Sequence, residues 1–325
     1  MEISDYSNIR NQLIERKERI EKEIPHFADD LNLIKLLREV DSALDRIESG
    51  TYGLCEFCHD PIEPERLQSD PLTRFCIDHL TSEQRHLLEK DFEIASSIQQ
   101  GLLPKNNLML YGWEINYKYV PAGVVSGDYC DVLEDKKNNL IFIIGDVSGK
   151  GFPASMLMTH MHAIFHSLMP FNLPVNELIE RVNRLFCEST LANHYATLVC
   201  VKTDKNGNIE LCNAGHFHPL IFRNGNVEKI DSTGFPLGLF CNAEYSVFNA
   251  QLKKGDIIFL YTDGLIETRR DSEEYGIERT SKILMTNSKL SGSEIIDCQL
   301  KDLNTFSSKL QHNDDLTILV IKRNI

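Results

Sequence analysis

Four short segments in the second part of the chain each centre on an aspartate: Ser126-Gly127-Asp128-Tyr129, Gly145-Asp146-Val147-Ser148, Tyr261-Thr262-Asp263-Gly264 and Asn313-Asp314-Asp315-Leu316-Thr317. Asp128, Asp146 and Asp263 adjoin a glycine, and Asp146 and Asp263 each follow an apolar run, Ile141–Ile144 and Ile257–Tyr261. An aspartate at a buried strand end, beside a glycine that lets the backbone come close, can hold a hard cation through carboxylate and carbonyl oxygens. Taken singly, each reads as a turn aspartate. Four in one region point to a shared cation site.

The surrounding texture fits strand ends. From Ile115 onward, short runs rich in branched and aromatic residues recur at Ala196–Val201, Ile209–Cys212 and Leu220–Phe222, besides the two already named. Asn206-Gly207 and Asn224-Gly225 lie between such runs and predict tight hairpins. Helical stretches are expected near 153–168, 175–190, 277–286 and 292–309. Antiparallel hairpins alternating with helix pairs predict an α+β sandwich, not a doubly wound parallel sheet. Ahead of this region, residues 5–50 read as a helical hairpin broken near Ile24-Pro25-His26 and stopped at Gly50. A further helix spans about 82–102, with Leu88, Ala95 and Leu102 seven residues apart and Ile98 offset between them. A coiled-coil seam forming a homodimer and a helix lying on its own domain are both open readings.

Cys55-x2-Cys58, seventeen residues, then Cys76-x2-His79 has the spacing of a four-ligand structural zinc site. Two close pairs on tight turns present four ligands tetrahedrally and leave no open position, so this metal is expected to be structural. Three of the nine cysteines crowd into residues 55–76 and the other six are scattered, which predicts reduced core thiols and not a disulfide framework. The segments Ala43-Leu44-x-Arg46-Ile47-Glu48-x-Gly50-Thr51-Tyr52-Gly53-x-Cys55-x2-Cys58 and Ile62-x3-Arg66-Leu67-x3-Pro71 resemble the DksA/TraR zinc-finger family over roughly residues 30–80. Two departures stand out: the last ligand is His79 where cysteine is usual, and the hairpin is too short to match the long coiled coil that reaches into RNA polymerase. Docking or dimerisation is therefore the expected role of the module.

The later segments resemble the protein phosphatase 2C superfamily, in its SpoIIE/RsbU branch, over roughly residues 85–323. The likeness runs through Ile94-Ala95-x2-Ile98-Gln99-x2-Leu102-Leu103-Pro104, Pro121-Ala122, Gly127-Asp128, Asp146-x2-Gly149-x-Gly151-x-Pro153-Ala154 and Ala196-Thr197-Leu198. It continues through Asn213-Ala214-Gly215-His216, Pro236-Leu237-Gly238, Thr262-Asp263-Gly264 and Asp314-Asp315-Leu316-Thr317. The resemblance implies an αββα sandwich with a metal site at one end of the two sheets. Carried over by position, Asp128, Asp146, Asp263, Asp314 and the Val147 carbonyl hold two Mn²⁺ or Mg²⁺ ions. The choice of Asp314 over Asp315 rests on motif register alone, and Asp131 is placed just outside the ligand shell. The implied activity is hydrolysis of phosphoserine or phosphothreonine in a protein, the substrate being a STAS-type anti-sigma-factor antagonist in a partner-switching pathway. Animal relatives carry a phosphate-binding arginine before the first aspartate. None lies between Lys118 and Gly127, which leaves Lys118 or Lys150 as stand-ins. The implied domain plan is a helical hairpin plus finger at 1–80, a linker helix at 81–105 and the phosphatase domain at 106–325.

Other features carry less. His160, His162 and His166 share one predicted helix, where an i,i+4 pair could bind metal. Met156, Met158, Met161 and Phe165 on the same helix imply packing against a sheet, and the three read as core or surface histidines. His216 is expected to order a loop near the site. Gly149-Lys150-Gly151 lacks the spacing and hydroxyl of a P-loop. Cys130 lacks the Cys-x5-Arg of a thiol phosphatase. The net charge of −14 disfavours direct nucleic-acid binding. No apolar run reaches the ~20 residues of a membrane helix, and Met1–Asp5 lacks the basic and apolar regions of a signal peptide. A cytoplasmic address is the default. The alternatives to an enzyme are a catalytically dead phosphoprotein-binding module and a zinc-finger regulator of RNA polymerase.

Overall fold

Helical spacing in the first fifty residues yields α1 (Ser7–Glu23) and α2 (Leu31–Glu48). In this computed structural model, residues 6–23, 31–79, 82–190, 194–271, 273–307 and 314–325 are described. The break expected near Ile24-Pro25-His26 lies outside them. The chain divides into two units, Met1–Asp91 and Phe92–Ile325. In the first, Ile9, Leu13 and Ile20 of α1 join Val40 and Ala43 of α2 in a small core. Tyr52, Cys55, Ile62, Cys76 and Leu67, the last on α3 (Pro64–Ser69), complete it. Helix α4 (Ser82–Leu102) covers the span expected for the linker, and the division between units falls within it.

The second unit continues with β1 (Leu108–Leu110), β2 (Trp113–Val120), β3 (Asp128–Glu134), β4 (Leu140–Val147), α5 (Gly151–Leu168) and α6 (Val175–Ser189). Then come β5 (Ala196–Thr203), β6 (Asn208–Ala214), β7 (Leu220–Arg223), β8 (Asn226–Lys229), β9 (Phe248–Gln251), β10 (Ile257–Tyr261) and α7 (Asp263–Ile266). A ribbon of β11 (Arg269–Arg270) and β12 (Glu273–Glu274) precedes α8 (Gly276–Asn287), α9 (Gly292–Ser307) and β13 (Leu316–Arg323). Two antiparallel sheets result, ordered β1-β2-β13-β10-β7-β8 and β3-β4-β5-β6-β9. Asn224 and Gly225, both at positive φ (53° and 80°), form the two-residue turn between β7 and β8, as the Asn-Gly pair predicts.

The layers follow from two-sided burial. Phe142 and Ile144 of β4 face Trp113, Ile258 and Leu319 between the sheets. Ile141 and Ile143 point the other way, into a core with Met158, Met161 and Phe165 of α5 and Leu178, Val182 and Phe186 of α6. On the far side, Phe259, Ile318 and Val320 pack against Leu284 of α8 and Ile295 and Leu303 of α9. Strands buried on both faces read as continuous apolar runs instead of alternating ones. The architecture is the expected αββα sandwich.

One expectation fails. Cys187 and Cys241 are disulfide-bonded across 54 residues. Cys130, Cys200 and Cys212 are free and buried, as anticipated for core thiols.

Candidate active site

Each sheet contributes two aspartates from neighbouring strand ends. Asp128 begins β3 and Asp146 lies near the end of β4, and the antiparallel register sets them directly opposite each other. Asp263 follows the end of β10 after one residue, and Asp314 precedes β13 by two, these strands being paired with Tyr261 opposite Ile318. The segment 121–127 crosses from β2 in one sheet to β3 in the other. Asp315 ties this crossing: its two carboxylate oxygens accept from the amides of Ala122 (2.7 Å) and Gly127 (2.9 Å). Asp314 instead meets the Lys150 ammonium at 2.7 Å. Asp315 thus holds backbone, while Asp314 pairs with Lys150, and its charge is felt by Asp146 and Asp263.

Asp128 is nearly inaccessible, 1% exposed. Its Oδ2 accepts from the hydroxyls of Thr262 (2.9 Å) and Thr317, while Oδ1 is buried with no protein partner. A buried carboxylate oxygen left unpaired is costly, and a cation satisfies it. Beside it, a Cβ on Gly127 would come within 3.2 Å of the Val147 carbonyl and 3.6 Å of Asp146 Oδ1. The glycine therefore keeps open a nook into which both oxygens face.

The charges agree. Burial, then the Asp146 charge, holds the Asp128 carboxyl well above the usual carboxylate range, against the two threonine hydroxyls. Asp146 is pushed up to about 7 by burial and by Asp263, Asp314 and Asp315, with Lys150 pulling the other way. Asp263 is pushed up to about 6 by burial and Asp314. The fold collects negative charge that one exposed lysine does not neutralise. An all-oxygen donor set of this kind suits Mg²⁺ or Mn²⁺ over zinc. Gly127→Ala, whose methyl would press on Ala154 Cβ (3.1 Å) as well as on the Val147 carbonyl, is expected to raise the Mn²⁺ concentration for half-maximal activity by about ten-fold or more; a titration of activity against Mn²⁺ checks this.

Residues 136–324 match the family described as Stage II sporulation protein E (SpoIIE). The chain belongs to the SpoIIE family. Among relatives of this SpoIIE protein, phosphoserine phosphatase RsbU of Bacillus subtilis is 25% identical over 244 residues, 73% of this chain and 71% of RsbU. Protein IcfG of Synechocystis is 27% identical over 264 residues, but the match spans only 42% of its length. The solved RsbU and RsbW domains of Rv1364c from Mycobacterium tuberculosis align with TM-score 0.57 at 26% identity, over 68% of this chain and 62% of that one. The SiaA-PP2C domain of Pseudomonas aeruginosa aligns with TM-score 0.65 at 19% identity, over 74% and 98%, and shares the fold. The second unit is a PP2C-type phosphatase domain of the SpoIIE kind.

Several residues that orient this SpoIIE-type site escaped the sequence reading. Thr262 and Thr317 aim Asp128. Gln99, on α4, bonds both backbone groups of Ser126, Nε2 to the carbonyl (2.7 Å) and Oε1 from the amide (3.0 Å). Ser126 Oγ in turn accepts from the Asp128 amide at 3.0 Å. His216, by contrast, is expected to order a loop near the site, and it pins the two sheets beside Asp263: Nδ1 lies 2.8 Å from Thr197 Oγ1, and Nε2 lies 3.0 Å from the Tyr261 carbonyl. Burial lowers its pKa to about 4. Asp131 is a correction. It points to the opposite face of β3 from Asp128, toward α5, because side chains three apart on a strand face opposite ways. Lys118 is exposed on β2, whereas Lys150 sits at the cluster. A cavity of about 580 Å³ lined by Lys137, Lys202 and Asp204 lies at the other end of the five-stranded sheet.

In the first unit, residues 50–78 match the prokaryotic dksA/traR C4-type zinc finger, so His79 stands one position beyond the match. Cys55, Cys58, Cys76 and His79 bring their donor atoms within 4.8 Å of one another. Cys76 Sγ lies 3.7 Å from Cys58 Sγ and 3.1 Å from His79 Nδ1, and Phe57 stacks on the His79 ring. Burial raises the Cys55 thiol, but amides of Cys58, Cys76 and Phe57 outweigh it and leave a value of about 6. Three sulfurs and an imidazole in this geometry fit zinc.

Proposed function

We propose that the second unit hydrolyses phosphoserine or phosphothreonine in a phosphoprotein, with two Mg²⁺ or Mn²⁺ ions held by Asp128, Asp146, the Val147 carbonyl, Asp263 and Asp314. The observation that supports this reading is the orphaned Asp128 oxygen, on a residue that strand register sets opposite Asp146, among carboxylates that raise one another's proton affinity. Such ions supply the charge that makes water a nucleophile at neutral pH and offsets that of the phosphate. The chain's own residues do the rest. Thr262 and Thr317 fix the Asp128 carboxylate, and Asp315 and Gln99 fix the loop that carries it. Lys150, 73% exposed in its side chain and tethered to Asp314, offers an ammonium to a phosphoryl oxygen at the rim. His216 has both nitrogens engaged inside the fold and moves no proton.

Similarity to RsbU supports a finer reading, in which the substrate is a phosphorylated STAS-domain antagonist of an anti-sigma factor and the pathway is one of partner switching. The net charge of −14 accords with a protein substrate rather than a nucleic acid. The zinc module and α4 would regulate: Gln99 couples α4 to the loop bearing Asp128, and Ile94 and Ile98, 49% and 57% exposed, support a homodimer through that helix. Among the described residues no helix is long and apolar enough to cross a membrane. The test is release of phosphate from a phosphoserine STAS-domain protein with added Mn²⁺. Hydrolysis that EDTA abolishes is expected; hydrolysis indifferent to EDTA, or none at all, rejects the reading.

A further inference from the structure

On the outer face of the five-stranded sheet, away from the four aspartates, α5 presents His162 and His166 one turn apart above Asp131 of β3. His166 Nε2 lies 2.9 Å from Asp131 Oδ2, and His162 Nε2 lies 3.8 Å from the same oxygen. The imidazole rings stack with centroids 3.9 Å apart. All three residues can bring one donor atom within 4.8 Å of the others. A tetrahedral ion with bonds of about 2.0–2.2 Å holds its ligands roughly 3.4 Å apart. The separations of 2.9 and 3.8 Å bracket that value, so small ring rotations close the set.

We propose that Asp131, His162 and His166 form a further metal site that takes Zn²⁺ or a similar nitrogen-seeking divalent transition ion. Two imidazoles and one carboxylate select such an ion over Mg²⁺. The remaining position is open, because the His166 side chain is 46% exposed. The carboxylate is already oriented as a ligand: its side chain is 4% exposed, Tyr129 donates its hydroxyl to Oδ2 (2.9 Å), and the Val132 amide donates to Oδ1 (2.8 Å). Outer hydrogen bonds of this sort hold metal-binding carboxylates in place.

The competing arrangement is a simple ion pair between Asp131 and protonated histidine. Stacked imidazoles resist carrying two charges, and burial, then His166, lowers the proton affinity of His162 despite Asp131. Among the described residues, the ion-pair partners of Asp131 are these two rings and no lysine or arginine. Two ring nitrogens and a buried carboxylate oxygen that converge without a lysine or arginine form a donor set that a metal completes. Binding requires both rings to carry their proton on Nδ1, leaving each Nε2 lone pair for the metal. A bound ion would staple α5 to β3. Since α5 starts directly after the loop that follows Asp146, the staple braces the catalytic sheet from behind.

The experiment measures zinc bound per full-length chain after EDTA stripping, zinc reconstitution and gel filtration in excess Mg²⁺, which occupies the acidic cluster. Wild type is expected to retain one zinc more than either His162→Ala/His166→Ala or Asp131→Asn, all three keeping the finger zinc. Zinc in about hundred-fold excess over its Kd should also raise the second unit's melting temperature by ~5–10 °C in wild type alone. Equal zinc content in wild type and Asp131→Asn overturns the proposal, whether or not the double alanine variant folds.

Discussion

Asp146→Asn is expected to lower phosphatase turnover by more than about a hundred-fold, the upper end of what losing even an outer-shell metal partner costs. The same change should make the EDTA-treated protein more stable at neutral pH. In the fold, burial and the neighbouring carboxylates raise Asp146 from 3.8 to about 7. Between those two values the folded state holds a proton that the unfolded chain has lost, so stability falls as pH rises across that window. Asparagine carries no such penalty. The advantage of Asp146→Asn should be nil near pH 4, grow through the window and level off above pH 7. It amounts to a few kcal/mol at most, at about 1.4 kcal/mol per pKa unit. Denaturant melts of both proteins in EDTA at several pH values provide the measurement. A variant with lost activity and lowered metal-free stability at pH 8 would mean that Asp146 is a structural residue, not an electrostatic sacrifice to cation binding.

Cys76→Ser is expected to have the larger structural effect. Cys55 and Cys76 belong at once to the finger's donor set and to the core of the first unit. That core is small, and the ~10–16 kcal/mol of apparent binding energy typical of structural zinc exceeds what so few buried residues supply alone. Loss of one thiolate should therefore release the zinc and expose residues 31–79 to rapid amide exchange. His79→Cys, which restores four sulfurs, should keep both zinc and protection. Mass spectrometry of the intact protein under native conditions reads the zinc, and hydrogen exchange reads the fold; slow exchange in zinc-free Cys76→Ser would show that the helices hold without the metal.

Much of this architecture is visible in the residues themselves. Two-sided apolar runs marked the central strands, Asn224-Gly225 marked its turn, and aspartates at strand ends marked where the sheets' edges meet. What escaped is contact between distant segments. Gln99 reaches Ser126, and Thr262 and Thr317 reach Asp128; all three lie within the family's motifs, but a motif does not reveal which distant group a side chain meets. Asp131 matches an acidic position three residues after the first aspartate in the resembled family, but strand pleating sends it to the opposite face. The Cys187–Cys241 bond had no local signal at all, its partners lying in unrelated segments. That Asp315 accepts the amides of Ala122 and Gly127, nearly two hundred residues away in sequence, is likewise invisible in the motif.

The pairing of Asp128 with Asp146 has a corollary for how such chains can change. Both stand on one side of a pleated ladder, so odd and even positions of β3 and β4 are not interchangeable. One residue added within Asp128–Glu134 would rotate a carboxylate out of the inter-sheet space and toward the histidine-bearing helix, while the turn at 135–139 can lengthen without altering that parity. Drift in length is confined to the hairpin's tip.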